Sequence, residues 1–254
     1  MGPICTVGAV TIFSLVLVAQ QPRTATAQAT KPAPDLAGVW SNPKTGDRIT
    51  VTVPPNEPMV LTKWAEDQYN YNHDFSPTVG GQRGRNEMDP NSHCFPPGPA
   101  RLVLQTGPGF GPVEIIQSPK RVLFLYEKDH SVRQVWTDGR EHPQDLDLTW
   151  MGHSIGKWDG ATLVVDTLGI RDETWLDGAG HVHSNALHIV ERYWRPNPDT
   201  LRIDMTLEDP KALAQPWARH IALKLRPDLE LFEDINCDGR YQRGVFYGEG
   251  PAGL

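Results

Sequence analysis

The chain has 254 residues, with 31 acidic side chains against 24 Lys and Arg and a formal net charge of −7. An acidic balance of this size disfavours binding to nucleic acid or to an anionic membrane surface, because both polyanions attract basic proteins. We therefore expect no nucleic-acid partner and a small-molecule or glycan substrate instead.

The N-terminal segment differs in character from the rest of the chain. Residues 7–19 form an apolar run that is too short to cross a bilayer comfortably, and Ala25-Thr26-Ala27 has the small residues of a signal peptidase site. We predict that residues 1–27 are a cleaved secretory signal, with a retained N-terminal anchor as the alternative. Cleavage removes Arg23 and no acidic residue, which changes the net charge from −7 to −8. We expect a periplasmic or secreted protein without a membrane segment.

Two cysteines, Cys94 and Cys237, remain after the predicted signal. An even pair of cysteines in an oxidising compartment predicts a disulfide. It would close a loop of roughly 140 residues and stabilise the fold by about 4–5 kcal/mol on the chain-entropy model.

A linker at residues 28–34 leads into a predicted single domain at 35–254. The first recognisable element is a helix at 61–71, with Thr62 as its N-cap. Residues 72–99 are rich in Gly, Pro, Asn and Arg and predict a long irregular segment. Loops of this length are usually functional or disordered, and Cys94 favours an ordered one that covers an end of the domain.

The other predicted elements are short segments rich in β-branched and aromatic residues, bounded by Pro, Gly, Asp or Ser. They are strands at 48–53, 113–117, 121–126, 132–136, 162–166, 187–194, 200–207, 218–225 and 230–235. Short turns join most neighbours, which indicates an antiparallel meander. Because such a meander must protect its edges, we predict an all-β, lipocalin-like or calycin-like barrel with one short helix. The alternative is a two-sheet β-sandwich.

Histidines are concentrated in two stretches, 150–158 and 181–188. Histidine exchanges a proton near neutral pH, so this density predicts an acid–base site at the mouth or inside of the barrel. We expect His153 and His188 to transfer protons and His183 to orient them or share that role.

The remaining members of the predicted site support these histidines. The carboxylate partner is expected to be Asp166 or Glu191, and Arg140 or Arg192 would stabilise developing negative charge. Aromatic side chains would wall the site and bind the ligand: Trp150, Trp158, Trp175 and Tyr126.

These residues predict an exported enzyme that needs no cofactor: a lyase, isomerase or hydrolase acting on a small aromatic or carbohydrate-like substrate. The first alternative is a non-catalytic, lipocalin-like barrel that binds a small ligand. The second is a metal-dependent enzyme, in which His181, His183 and His188 ligate zinc or copper.

Two further motifs are weaker. Residues 152–156 match the G-x-S-x-G pattern of serine hydrolases, but a turn and a strand follow them where a nucleophile elbow has a helix. We therefore interpret the match as accidental. Asp234, Asn236 and Asp238 reproduce the first half of a calcium loop, although Val245 stands where the closing glutamate belongs.

A second polar group surrounds one predicted hairpin. It consists of Tyr126-Glu127, Arg133, Asp138-Gly139-Arg140 and His142-Pro143. Arg140 and Glu127 are expected either to face the site from a neighbouring strand or to form solvated ion pairs.

The motifs together resemble a group of secreted bacterial proteins that carry no assigned activity. The resemblance rests on segments that cover most of the mature chain: Cys94-Phe-Pro-Pro-Gly98, Glu114-Ile-Ile-Gln117, Tyr126-Glu127, Asp138-Gly-Arg-Glu-His-Pro143, Trp150 to Gly156, Leu163-Val-Val-Asp-Thr167, Thr174-Trp-Leu-Asp177, His183 to His188 and Glu191-Arg192. It implies a secreted, β-rich protein and adds no catalytic role for any residue.

Overall fold

The structure of the protein is a computed structural model that describes residue 2 and residues 34–43, 53–73, 89–106 and 110–234. Its contacts divide the chain into two units, Met1–Pro32 and Ala33–Leu254. All strands and helices described below belong to the second unit. Within the described ranges, no helix has the length and apolar character needed to cross a membrane.

Nine strands form a closed barrel in which each strand pairs with the next and the last pairs with the first. The strands are β1 Gly38–Ser41, β2 Val113–Ser118, β3 Arg121–Tyr126, β4 Val132–Trp136, β5 His153–Asp159, β6 Thr162–Leu168, β7 His188–Asn197, β8 Thr200–Glu208 and β9 Trp217–Leu225. The predicted all-β barrel is confirmed, and the alternative of a two-sheet sandwich is not formed.

One junction departs from the predicted antiparallel meander. β4 and β5 run parallel, with Val135 opposite Ser154 and Trp136 opposite Ile155. The connection between them, residues 137–152, supplies the long crossover that parallel neighbours need. It also carries His142 across the outside of the barrel wall.

The sequence pattern does not predict β5 as a strand, because its glycine and its charged end resemble a turn. Gly156 has a packing role here: a Cβ atom at this position would lie 2.8 Å from Val135 Cγ1 and 3.1 Å from Leu163 Cδ1. The nearby Ser154 is buried inside the wall, where its hydroxyl contacts the Thr167 hydroxyl at 2.9 Å. The G-x-S-x-G match therefore belongs to a barrel strand.

Other differences lie near the ends of the domain. β1 is absent from the predicted strands, because a strand of four residues carries too short a pattern. The predicted strand at 230–235 is wrong over its described part, since residues 230–234 have no strand pairing. The predicted strand at 48–53 falls outside the described residues except for Val53, which is not in a strand.

The described ranges contain two α-helices besides the barrel strands, where the sequence predicts one. The first, α1 Lys63–Asn72, is the predicted helix, and the Thr62 hydroxyl accepts a hydrogen bond from the Ala65 amide at 3.3 Å. The second, α2 Gly98–Leu104, follows the described part of the predicted irregular segment. It is nearly buried throughout, so its sequence lacks the polar face by which a surface helix is recognised.

Candidate acid–base site

Four polar side chains lie on the outer face of four successive strands, close to one end of the barrel. They are His153 on β5, Asp166 on β6, His188 on β7 and Glu208 on β8. Strand alternation sets this placement, because the adjacent residues Thr167 and Ile189 are buried in the barrel. His142 joins them from the connection between β4 and β5. We call these five residues the histidine cluster.

Asp166 is the centre of the histidine cluster. Its Oδ1 lies 3.1 Å from His142 Nε2, and its Oδ2 lies 3.2 Å from His188 Nε2. An ionised carboxylate only accepts hydrogen bonds, so both Nε2 atoms carry a proton. On its other side, His188 Nδ1 lies 3.5 Å from Glu208 Oε2.

The contact between His142 and His153 extends this chain. Their Nδ1 atoms are 2.8 Å apart, so one nitrogen donates and the other accepts. A neutral His142, protonated on Nε2, accepts at Nδ1. His153 then donates from its own Nδ1 and keeps a lone pair on Nε2. Burial lowers the pKa of His153, and the positive charge of Arg140 lowers it further.

Local backbone constraints fix where His153 enters the sheet. Gly152 has a φ of 65°, and a Cβ atom there would lie 2.7 Å from the carbonyl oxygen of Leu168 and 2.8 Å from Ile170 Cγ1. Glycine therefore lets the start of β5 approach the end of β6 closely. The same approach sets His153 beside the outer face that carries Asp166.

Arg140 lies in the same crossover as His142 and not on a neighbouring strand. Its guanidinium carbon is 3.5 Å from the centre of the Trp136 ring, and its Nη2 donates to Asp138 at 2.6 Å. These contacts hold a positive charge within electrostatic reach of His153. Of the predicted site residues, the structure brings together His153, His188 and Asp166, whereas Arg140 pairs with Asp138 and acts on His153 only through its charge.

Glu191 lies elsewhere, inside the barrel. Its side chain is fully buried, and its carboxylate accepts from both terminal nitrogens of Arg133 and from the Tyr193 hydroxyl at 2.6 Å. Tyr126 is buried in the same interior, where burial raises its pKa. Arg192 points outward and pairs with Asp159 at 3.0 Å. None of these predicted residues contacts the histidine cluster.

His183 has a separate, buried position. Its Nδ1 donates to the carbonyl oxygen of Ser184 at 3.0 Å, so its Nε2 accepts from the Thr174 hydroxyl at 2.8 Å. Burial lowers the pKa of His183, although the Ser184 carbonyl opposes this effect. These contacts hold a neutral ring in the loop between β6 and β7.

The predicted aromatic wall is dispersed. Trp175 is buried, with 5% of its surface exposed, and Trp158 packs against the core. Trp150 stacks on Phe95, with 5.3 Å between ring centres, and lies under Arg171. We find no shared pocket of these side chains in the described part of the chain.

The predicted zinc or copper ligands do not converge in the structure. His181, His183 and His188 bond to different partners, and the described ranges hold no group of three or more His, Cys, Asp or Glu side chains arranged to hold a metal. Asp234 accepts from Lys128 Nζ and the Asp129 amide. Asn236 and Asp238 lie outside the described residues, and so does Cys237, the predicted partner of Cys94.

The predicted site omits two members of the cluster, His142 and Glu208. His142 is grouped by sequence with a hairpin, because local patterns do not reveal that the 137–152 connection crosses back over β5 and β6. Strand alternation in the sequence could have indicated Glu208, because it is the last outward residue of β8 and lies directly opposite His188. Comparison of this chain with known proteins found no matching family model, no matching curated protein and no matching solved structure.

Proposed function

We propose that the histidine cluster is a catalytic acid–base site, in a lyase, isomerase or hydrolase that acts on a small aromatic or carbohydrate-like substrate. One observation carries the proposal: hydrogen bonds run without interruption from His153 through His142 to the carboxylate of Asp166. A carboxylate behind a histidine fixes its tautomer and supports the charge it gains.

The hydrogen-bond directions define the proton path. A substrate proton is taken up by the lone pair on His153 Nε2, while the Nδ1 proton of His153 moves to His142 Nδ1. The positive charge then rests on His142, beside the Asp166 carboxylate, and not on His153. The reverse transfer returns the proton to the product, so the chain ends in its starting state.

His188 and Arg140 complete the proposed site. His188 shares Asp166 with His142, which supports a role for it as the second histidine of an acid–base pair. Arg140 supplies a positive charge on the His153 side, suited to an oxyanion that forms as the proton leaves. Asp166 is 40% exposed and His188 29%, so a dissolved substrate can approach them.

A filled interior favours this proposal over a lipocalin-like carrier. Such a carrier needs open space inside its barrel. Arg133, Phe124 and Tyr193 fill the interior around Glu191, and each is about 1% exposed.

The test is turnover of a panel of lyase, isomerase and hydrolase substrates by the wild type and by His153→Ala. We expect His153→Ala to lose about 10²-fold or more in kcat, the usual contribution of one acid–base group. His220→Ala is the matched control, because His220 also bonds an aspartate on the outer face, Asp204 at 2.8 Å. Equal turnover by His153→Ala and the wild type would contradict the proposal.

We further propose that the protein is exported and that Cys94 and Cys237 form a disulfide. The small residues at 25–27 and the even cysteine pair support this. The purified mature protein is then expected to begin at Gln28 and to show no free thiol under denaturing, non-reducing conditions. Two titratable thiols would refute the disulfide, and an intact N-terminus would refute signal cleavage.

A further inference from the structure

Arg219 on β9 is the one arginine among the described residues whose guanidinium has no hydrogen-bond acceptor. The other buried or nearly buried arginines each pair with a carboxylate: Arg101, Arg133, Arg202 and Arg226. The Nε atom of Arg219 is nevertheless buried, and no side chain or carbonyl accepts its proton. The two Nη atoms have no hydrogen-bond acceptor either, but they are not buried, so they are the donors that an acceptor from outside the chain can reach.

The position of Arg219 is fixed by the barrel wall. It shares its strand face with Trp217 and Leu223, which belong to the core, and it lies opposite buried Met205 on β8. Its guanidinium carbon is 4.9 Å from the centre of the Trp217 ring. The cation is thus held over an indole on the inner side of the sheet, where hydrogen bonds to an anion are strong.

Asp177 acts on Arg219 by its charge but does not pair with it. Both carboxylate oxygens of Asp177 are taken: Oδ1 accepts from the Ala179 amide at 2.9 Å, and Oδ2 lies 2.7 Å from His181 Nδ1. Burial lowers the pKa of Arg219, and the charge of Asp177 opposes this effect. The negative charge of Asp177 therefore balances the positive charge of Arg219 only in part.

We propose that Arg219 binds the carboxylate group of a small organic acid. The two Nη atoms lie on the same edge of a guanidinium and match the two oxygens of a carboxylate. The negative charge of Asp177 nearby favours a monoanion over a phosphate dianion. This site is additional to the histidine cluster and does not rest on the function proposed for it.

The experiment measures binding of acetate, benzoate, neutral benzamide and inorganic phosphate to the full mature protein by titration calorimetry at low ionic strength. We expect the wild type to bind both carboxylates, phosphate more weakly and benzamide not at all. Arg219→Met and Arg219→Lys should each lower carboxylate affinity about tenfold or more, since one loses the charge and both lose the paired donors. Arg121→Met, at an exposed arginine bonded to Gln134, should keep wild-type affinity.

Several results would overturn the proposal: no carboxylate binding by the wild type at millimolar concentration, equal binding by both Arg219 variants and the wild type, or phosphate bound as tightly as benzoate. Thermal unfolding checks the variants, and Arg219→Met should be at least as stable as the wild type because it removes an unpaired, half-buried cation. Calorimetry measures binding without turnover, so a failed acid–base proposal leaves this result unaffected.

Discussion

Glu191→Gln is expected to lower the free energy of unfolding by about 3–5 kcal/mol, the usual effect of removing one partner of a buried ion pair. The side chains of Arg133 and Glu191 are 1% and 0% exposed, so water cannot take over the lost interaction. Arg133 would keep its hydrogen bonds to the Thr167 hydroxyl at 2.8 Å and to Ser154 at 3.3 Å. Neither partner carries the charge that balances the guanidinium.

The measurement is urea denaturation followed by circular dichroism. The double variant Arg133→Met, Glu191→Leu should lose clearly less stability than Glu191→Gln, because it leaves no uncompensated charge in the core. Asp67→Asn is the exposed control, since its partner Lys63 is 78% exposed, and it should leave the denaturation midpoint unchanged. A midpoint for Glu191→Gln equal to that of the wild type would show that the pair contributes nothing.

Strand alternation explains why part of the site is readable from sequence. On β7 the outward positions hold His188, Val190 and Arg192, while the inward positions hold Ile189 and Glu191. The two-residue period of a strand therefore assigns His188 and Glu191 to opposite faces of β7 from the sequence alone. Applied to the candidate carboxylates, it selects Asp166, on the polar face of β6, as the partner of His188.

The remainder of the site depends on information that spacing does not carry. His142 reaches Asp166 only because β4 and β5 are parallel and the connection between them crosses the outer wall. Proximity to His188 in sequence places His183 in the predicted cluster. In the structure His183 is buried and bonds to Thr174 within the loop after β6. Crossovers and loop packing are tertiary features, and local patterns do not encode them.

Asp166→Asn is expected to lower kcat by about 10²–10⁴-fold on any substrate of the histidine cluster, the range for loss of acid–base catalysis. An asparagine offers one accepting oxygen and one donating nitrogen, whereas Asp166 accepts from two histidines. If the nitrogen faces His142, the ring must accept there and carry its proton on Nδ1. His142 then donates its Nδ1 proton to Nδ1 of His153, so His153 must carry its own proton on Nε2. His153 has no lone pair left on Nε2 and can no longer act as the base.

The opposite orientation of the substituted amide also impairs the site. The oxygen then faces His142 and preserves its tautomer, but no carboxylate charge remains to support the imidazolium that forms on His142. Both orientations leave the fold intact, because Asp166 lies on the outer face and is 40% exposed. Thermal unfolding of Asp166→Asn should therefore match that of the wild type.

The pH dependence and a second carboxylate variant complete the test. Because the pKa of His153 is lowered, wild-type activity should fall only as the pH drops below about 6.5, the ordinary histidine value. Glu208→Gln should cost far less activity than Asp166→Asn, since Glu208 lies 3.5 Å from His188 and does not touch the His142–His153 pair. Equal losses in the two variants would mean that Asp166 acts only through the charge it adds to the surface. A loss of activity confined to Asp166→Asn would show that Asp166 acts through its hydrogen bond to His142.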